Sequence, residues 1–143
     1  MIALSILQPW AWLIVRPDLT DPAARAVAVV ADEIKDVENR TWSTRRRGDI
    51  LIHAGKKWGR QQRDDLEHVR ARFPSIPLPD TFDLGGIVGA ARIVDCVEDS
   101  TSPWFSGPYG FVLANTRPAP RFVPWKGQLG FFDVPRSALE DTP

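Results

Sequence analysis

Residues 34–57 constrain the fold most, because a basic turn there joins a charged extended segment to the short apolar run 50–52. Side chains alternate between the two faces of a strand, so Glu38, Arg40 and Trp42 are predicted to share one face. Charged groups beside a tryptophan make a poor core, but they suit a binding surface on which the ring stacks and the charges form hydrogen bonds. The alternative is an exposed edge hairpin whose charges only keep the chain soluble.

The charge of the chain is balanced overall but uneven along its length. The 143 residues hold 18 Lys and Arg against 18 Asp and Glu, so the formal net charge is zero. This argues against a polyanion binder that works through bulk charge. Residues 35–72, however, hold eleven basic residues against six acidic ones. One basic patch on a neutral body favours a local contact with an anion or nucleic acid, although an Arg-rich solvent-exposed helix would give the same count.

Length and composition predict one domain over residues 1–143, since a chain with 43% hydrophobic residues can build its own core. Cys96 is the only cysteine, which excludes an intrachain disulfide and suits a cytoplasmic location. We find neither a signal peptide nor the run of about 20 apolar residues that a membrane span needs, so no membrane partner is expected. His53, His68 and Cys96 lack the spacing of metal ligands, so we expect neither a metal nor another cofactor.

The alternation of apolar and turn-forming residues predicts an α+β fold, a small barrel of five or six strands with two or three flanking helices. Besides the two central segments, strands are predicted at 1–7, 84–94, 111–114 and 127–134. Helices are predicted at 9–15, 23–31 and 61–72. The proline-broken stretch 115–126 is predicted to be irregular, and the last nine residues are predicted to form a loose end.

The first predicted helix contains two tryptophans and begins at Pro9, a residue that favours the first turn. Gln8 is then placed at the helix N-terminus, where free backbone N–H groups favour an anion. Trp10 and Trp12 are two positions apart and cannot share a face of so short a helix. We predict that Trp10 lines a cavity and that Trp12 packs into the core.

Four stretches, in order along the chain, resemble the ASCH domain family. The family motif is G-x-K-x-x-E-x-R, and its Lys, Glu and Arg fall on Lys35, Glu38 and Arg40, while its Gly position holds Glu33. The segment at about 18–32 is an insertion relative to the family and is predicted to be helical. The last stretch resembles the closing strand of phage and bacterial members, which favours a single-domain protein of that type. The four stretches are 4–11, 34–42, 86–95 and 125–131.

This resemblance implies a PUA-like β-barrel with a cleft between the barrel and the helices, in a superfamily associated with RNA. It implies RNA, or a nucleoside or nucleotide, as the ligand. The roles proposed within the family are RNA-binding module, protein-interaction domain, ribonuclease and amidohydrolase of N4-acetylcytidine. The amidohydrolase branch has a reactive threonine three residues after the motif Lys, and this chain has Glu38 there.

The predicted function is RNA or nucleotide binding by a cleft that reads a nucleobase, modified or not, through stacking and charged hydrogen bonds. Whether Glu38 pairs with Lys35 or with Arg40 is open from sequence. One alternative is an enzyme that uses Lys35, Glu38 and His53 as an amidohydrolase of N4-acylated cytidine or as a weak ribonuclease. Another is a protein-interaction module. The predicted ligand-binding residues are Gln8, Trp10, Lys35, Glu38, Arg40, Trp42, Arg46, Lys56, Lys57, Trp125 and Lys126.

Overall fold

A computed structural model of the chain describes residues 1–140. Within this range, six strands form one mixed sheet that curls into a half-barrel, accompanied by three α-helices, so the predicted α+β class is confirmed. The strands are β1 Ile2–Ile6, β2 Val37–Arg40, β3 Gly48–Ala54, β4 Gly86–Val97, β5 Tyr109–Pro124 and β6 Phe131–Asp133. The helices are α1 Trp10–Val15, α2 Pro22–Val30 and α3 Arg60–Arg72, with a 3-10 helix at Arg136–Leu139. Every helix in the described residues is too short or too polar to cross a lipid bilayer.

The two central strands are not neighbours in the sheet, whose order is β2-β5-β4-β3-β1-β6. β2 pairs antiparallel with β5, whereas β3 lies between β4 and β1 and runs parallel to β1. The hairpin alternative is therefore wrong. The basic turn 41–47 instead carries the chain from an edge of the sheet to its interior.

Side chains connect the two edges of the half-barrel. The Arg40 guanidinium, at the end of β2, donates to the backbone carbonyl of Ser5 on β1 at 2.7 Å. The Trp42 ring lies edge-on to Phe111 of β5 and Phe131 of β6, with centroids 5.2 and 5.5 Å away. Because β2 and β6 are the two edge strands, these contacts bring the start and end of the sheet together next to the charged strand.

β5 is longer than the sequence predicts. Residues 115–126 were expected to be irregular because of their prolines, yet most of them continue the strand. β2 pairs only with the first residues of β5, 109–112, so the remainder pairs with β4 alone. Proline lacks an N–H group and is tolerated on such an open edge, and the β4–β5 ladder also shifts register at several points.

The C-terminal region differs from the prediction: its strand is shorter, and the segment after the strand contains a short helix. β6 covers only three residues of the predicted strand 127–134. The predicted loose end contains the 3-10 helix, and Ala138 and Leu139 pack against a core cluster with the buried Val134. The final residues, 141–143, lie outside the described part of the chain.

The two N-terminal helices follow their predicted positions. α1 begins one residue after Pro9, and Trp12 belongs to a buried cluster with Leu13, as predicted. α2 begins at Pro22, and the Asp21 carboxylate accepts from the backbone N–H of Ala23, the second residue of the helix, at 3.1 Å. This N-cap contact explains why the Asp-Pro pair starts the helix.

Candidate nucleic-acid interface

The side chains of the three charged motif residues, Lys35, Glu38 and Arg40, form one connected charge chain. Glu38 lies at its centre: Oε1 accepts from Lys35 Nζ at 2.9 Å, and Oε2 accepts from Arg40 Nε at 3.0 Å. Both pairings that the sequence left open are therefore formed. Lys35 Nζ also donates to the carbonyl of Val37, and Arg40 reaches the carbonyl of Ser5. Every charge in this chain is thus held by at least two partners.

Because Lys35 and Glu38 are both buried, each needs the other as its counter-charge. Lys35 is 3% exposed and Glu38 is 7% exposed, so each charge would be costly without the other. The two groups around Lys35 Nζ, a carboxylate and a carbonyl, are both acceptors, which suits its role as a donor that is held in place. A carboxylate has about four acceptor positions, so Glu38 keeps acceptor capacity beyond its two cations. Arg40 is less buried and links the pair to the surface.

Two hollows meet at this charge chain and together form what we call the cleft. They share Trp10, Glu38 and Asn39 as lining residues. The helix arm, of about 410 Å³, lies between α3 and the loop 98–108. The barrel arm, of about 370 Å³, lies between β1 and the turn 41–47. Both volumes fall within the range of about 300–1,000 Å³ that is usual for small-molecule sites.

Trp10 lines both arms, as predicted. Its indole Nε1 donates to Asp65 of α3 at 3.3 Å, which ties α1 to α3. Lys35 Nζ lies 5.9 Å from the centre of the ring, at the outer limit of a cation–π contact. The ring is half-buried. It therefore offers a flat surface beside the buried charges.

The aromatic wall of the helix arm was not predicted from the sequence. Trp104 stacks on Phe73 at 4.2 Å with the rings 10° apart, and Phe105 lies beside them on the lining. Asn39 holds this loop: its Nδ2 donates to the carbonyl of Trp104 at 2.9 Å, and its Oδ1 accepts from the backbone N–H of Ser106 at 2.8 Å. A tryptophan in a long loop and an asparagine inside a charged strand were the available signals.

Trp42 and Arg46 differ in how they relate to the cleft. Trp42 is half-buried and lines the barrel arm, although its edge-on contacts with Phe111 and Phe131 also make it part of the barrel packing. Arg46 is exposed, and its guanidinium lies 5.1 Å from the Phe131 ring, on neither arm's lining. Of these two predicted ligand-binding residues, only Trp42 is brought to the cleft.

Gln8 has a structural role inside the protein. Its side chain is buried; Oε1 accepts from the Trp12 backbone N–H at 2.8 Å, and Nε2 donates to the Asp83 carbonyl at 3.1 Å. The amide therefore satisfies the first turn of α1 from within, where the sequence predicted a ligand contact. Both of its polar atoms are used, so we leave Gln8 out of the proposed site.

The remaining predicted residues gather in a second hollow, which we call the lysine hollow. It has a volume of about 800 Å³, and Lys56, Lys57, Trp125 and Lys126 line it. No acidic side chain of the described residues lines it. Apart from Gln8 and Arg46, the predicted ligand-binding residues thus divide between the cleft and the lysine hollow.

His53 is a buried part of the lysine hollow. It is 1% exposed, with Nδ1 2.9 Å from Ser5 Oγ and Nε2 2.7 Å from the Trp125 carbonyl. A carbonyl oxygen can only accept, so Nε2 carries a proton and donates to Trp125, while Nδ1 is held by the Ser5 hydroxyl. Both ring nitrogens are occupied, which does not fit the general base considered for a ribonuclease. Within residues 1–140, no group of three or more His, Cys, Asp or Glu side chains could hold a metal ion.

The chain is similar in sequence to activating signal cointegrator 1 over part of its length. The chain matches no protein-family model. Activating signal cointegrator 1 from Mus musculus and from Homo sapiens are each 31% identical to it over 97 residues, which is 66% of this chain. The chain is a distant homologue of activating signal cointegrator 1. It covers 14% of that protein's length, and the ASCH domain of activating signal cointegrator 1 belongs to the PUA-like superfamily, in agreement with the motif resemblance.

Proposed function

We propose that this chain forms an ASCH domain that binds RNA or a nucleotide and holds one nucleobase in the cleft. The observation that carries the proposal is the buried Glu38 carboxylate. It is fixed between Lys35 and Arg40 and lines both arms of a cleft that also contains Trp10. The distant homology to activating signal cointegrator 1 supports the ASCH assignment, and the PUA-like superfamily's association with RNA favours RNA as the ligand.

The chemistry of the cleft matches that of a nucleobase. A base presents a flat π-face and a polar edge, and proteins read single-stranded bases by stacking and by hydrogen bonds to that edge. Trp10 supplies a face on which a base can stack, and Glu38 supplies an acceptor for an exocyclic amine. Arg40 can donate to a carbonyl oxygen or a phosphate while it remains bound to Glu38. The cleft is therefore expected to prefer bases that carry an amine over uracil.

Replacing Trp10 by leucine is expected to weaken binding of single-stranded RNA about tenfold or more. Stacking of a base on an aromatic side chain contributes about 1–3 kcal/mol. Fluorescence anisotropy of a labelled oligonucleotide at two salt concentrations measures the change. Trp58→Leu is the matched control, because Trp58 is also half-buried but lines neither arm of the cleft. Equal affinity for wild type and Trp10→Leu would remove Trp10 from the site.

An amidohydrolase is the enzyme alternative, and one incubation separates it from a binding protein. The contacts of Lys35 suit a charged, orienting group, so N4-acetylcytidine is expected to be recovered unchanged by chromatography. Formation of cytidine and acetate that is lost in the Lys35→Arg variant would instead establish hydrolysis by this cleft. Product that persists in that variant would point to a contaminating enzyme.

A further inference from the structure

We infer that the lysine hollow binds the nucleotide next to the one in the cleft, so that the ligand is a single strand of at least two nucleotides. This inference rests on the proposed function, because the cleft supplies the first base. It excludes a free nucleoside as the complete ligand. Three features of the hollow carry it: its charge, its aromatic wall and its position.

The first feature is uncompensated positive charge. Lys56, Lys57 and Lys126 are exposed on the lining, and none of the three forms an ion pair among residues 1–140. In the cleft, by contrast, Lys35 and Arg40 are both bound to Glu38. A phosphodiester is the anion that repeats along a nucleic-acid strand, and lysines bind it as point charges. The cleft therefore suits the base, and the lysine hollow suits the backbone.

The second feature is the aromatic side chain among these lysines. Trp125 is half-buried and lines the hollow, and its carbonyl accepts from His53 at 2.7 Å. His53 is in turn bonded to Ser5, so the segment that carries Trp125 is tied to β1 and β3. An indole that shares a lining with positive charges is the arrangement that binds single strands without strong sequence preference. Trp125 thus provides a stacking surface for a second base.

The third feature is the shared wall between the two hollows. Ser5 and Leu7 line both the barrel arm of the cleft and the lysine hollow. Leu7 is 38% exposed, so its apolar side chain presents a surface at this junction. A strand with one base in the barrel arm would cross this wall to reach the lysine hollow. Neighbouring nucleotides can therefore occupy the two hollows together.

The experiment compares each nucleoside with the corresponding dinucleoside monophosphate, CpC, ApA, GpG and UpU, by isothermal titration calorimetry. For the base that the cleft prefers, the dinucleotide is expected to bind about tenfold more tightly than the nucleoside, as one more stacked base would give. The Trp125→Leu and Lys56→Gln/Lys57→Gln variants should lose most of this advantage and keep the nucleoside affinity. Arg63→Gln/Arg136→Gln is the matched control, because both arginines are exposed and line neither hollow.

Salt dependence gives a second readout with a tetranucleotide. Each phosphate contact on a single strand contributes a slope of about −0.7 in log K against log salt concentration. The Lys56→Gln/Lys57→Gln variant should therefore show a slope shallower by about 1.4. An equal affinity for nucleoside and dinucleotide, or an advantage that survives in both variants, would overturn the inference and leave the cleft's function intact. Binding of neither ligand class would overturn the proposed function as well.

Discussion

Glu38→Gln is expected to lower the free energy of unfolding by about 3–5 kcal/mol, the usual cost of removing one member of a buried ion pair. Lys35 would remain 3% exposed without its counter-charge. The glutamine amide has one acceptor where the carboxylate has two oxygens, so its NH₂ group would face either Lys35 or Arg40. Urea denaturation, monitored by tryptophan fluorescence, measures the decrease in the free energy of unfolding.

Two further variants isolate the charge effect. Lys35→Met/Glu38→Leu removes both buried charges and is expected to recover most of the lost stability, since apolar residues of similar size often replace such pairs at little cost. Asp65→Asn changes a carboxylate that also lines the cleft but is less buried, and it should cost less than about 1 kcal/mol. A loss below about 1 kcal/mol for Glu38→Gln would mean that the pair is not the buried, mutually dependent unit described above.

Glu38→Gln also tests how the cleft recognises a base. Folded Glu38→Gln protein should lose the preference for bases with an exocyclic amine, because the amide presents a donor as well as an acceptor. Affinities for cytidine and uridine, measured well below the denaturation midpoint, report this preference. A preference that is unchanged in the variant would place the amine contact on another group.

Local features of the fold were predictable because their causes lie within a few residues. The Asp-Pro pair at 21–22 starts α2 through a cap, and the apolar stripe of 61–72 marks α3. Strand alternation predicted that Glu38, Arg40 and Trp42 share one face, and all three line the barrel arm of the cleft. These predictions required no knowledge of which strands pair.

Long-range features could not be predicted. The pairing of β2 with β5 depends on contacts some 70 residues apart in sequence, as in the alignment of Glu38 with Phe111. The prolines of β5 indicated a loop because the sequence does not show that this part of the strand lies on an open edge. Two further features depend on long-range contacts and were not predictable. They are the aromatic wall that Trp104 contributes to the helix arm and the division of the predicted site between the cleft and the lysine hollow.

Phe111→Ala is expected to cost about 3–5 kcal/mol of stability, the range for a fully buried phenylalanine. The Phe111 side chain is 0% exposed and pairs across the ladder with Glu38. Its ring contacts Trp42 edge-on at 5.2 Å and stacks with Phe131 at 6.1 Å. Its loss leaves a cavity where the two edges of the half-barrel meet. Chemical denaturation measures the cost, and nucleoside titration of the folded fraction measures its effect on the cleft.

Phe132→Ala separates a general loss of core packing from an effect on the cleft. Phe132 is 5% exposed and belongs to a different core cluster, so its removal should be similarly destabilising. Phe132 lines neither arm of the cleft, and the folded variant should bind a nucleoside as wild type does. The folded Phe111→Ala variant should bind several-fold more weakly, because Trp42 loses the ring that supports it. Equal nucleoside affinity in the two variants would mean that the closure of the barrel edges does not position the cleft.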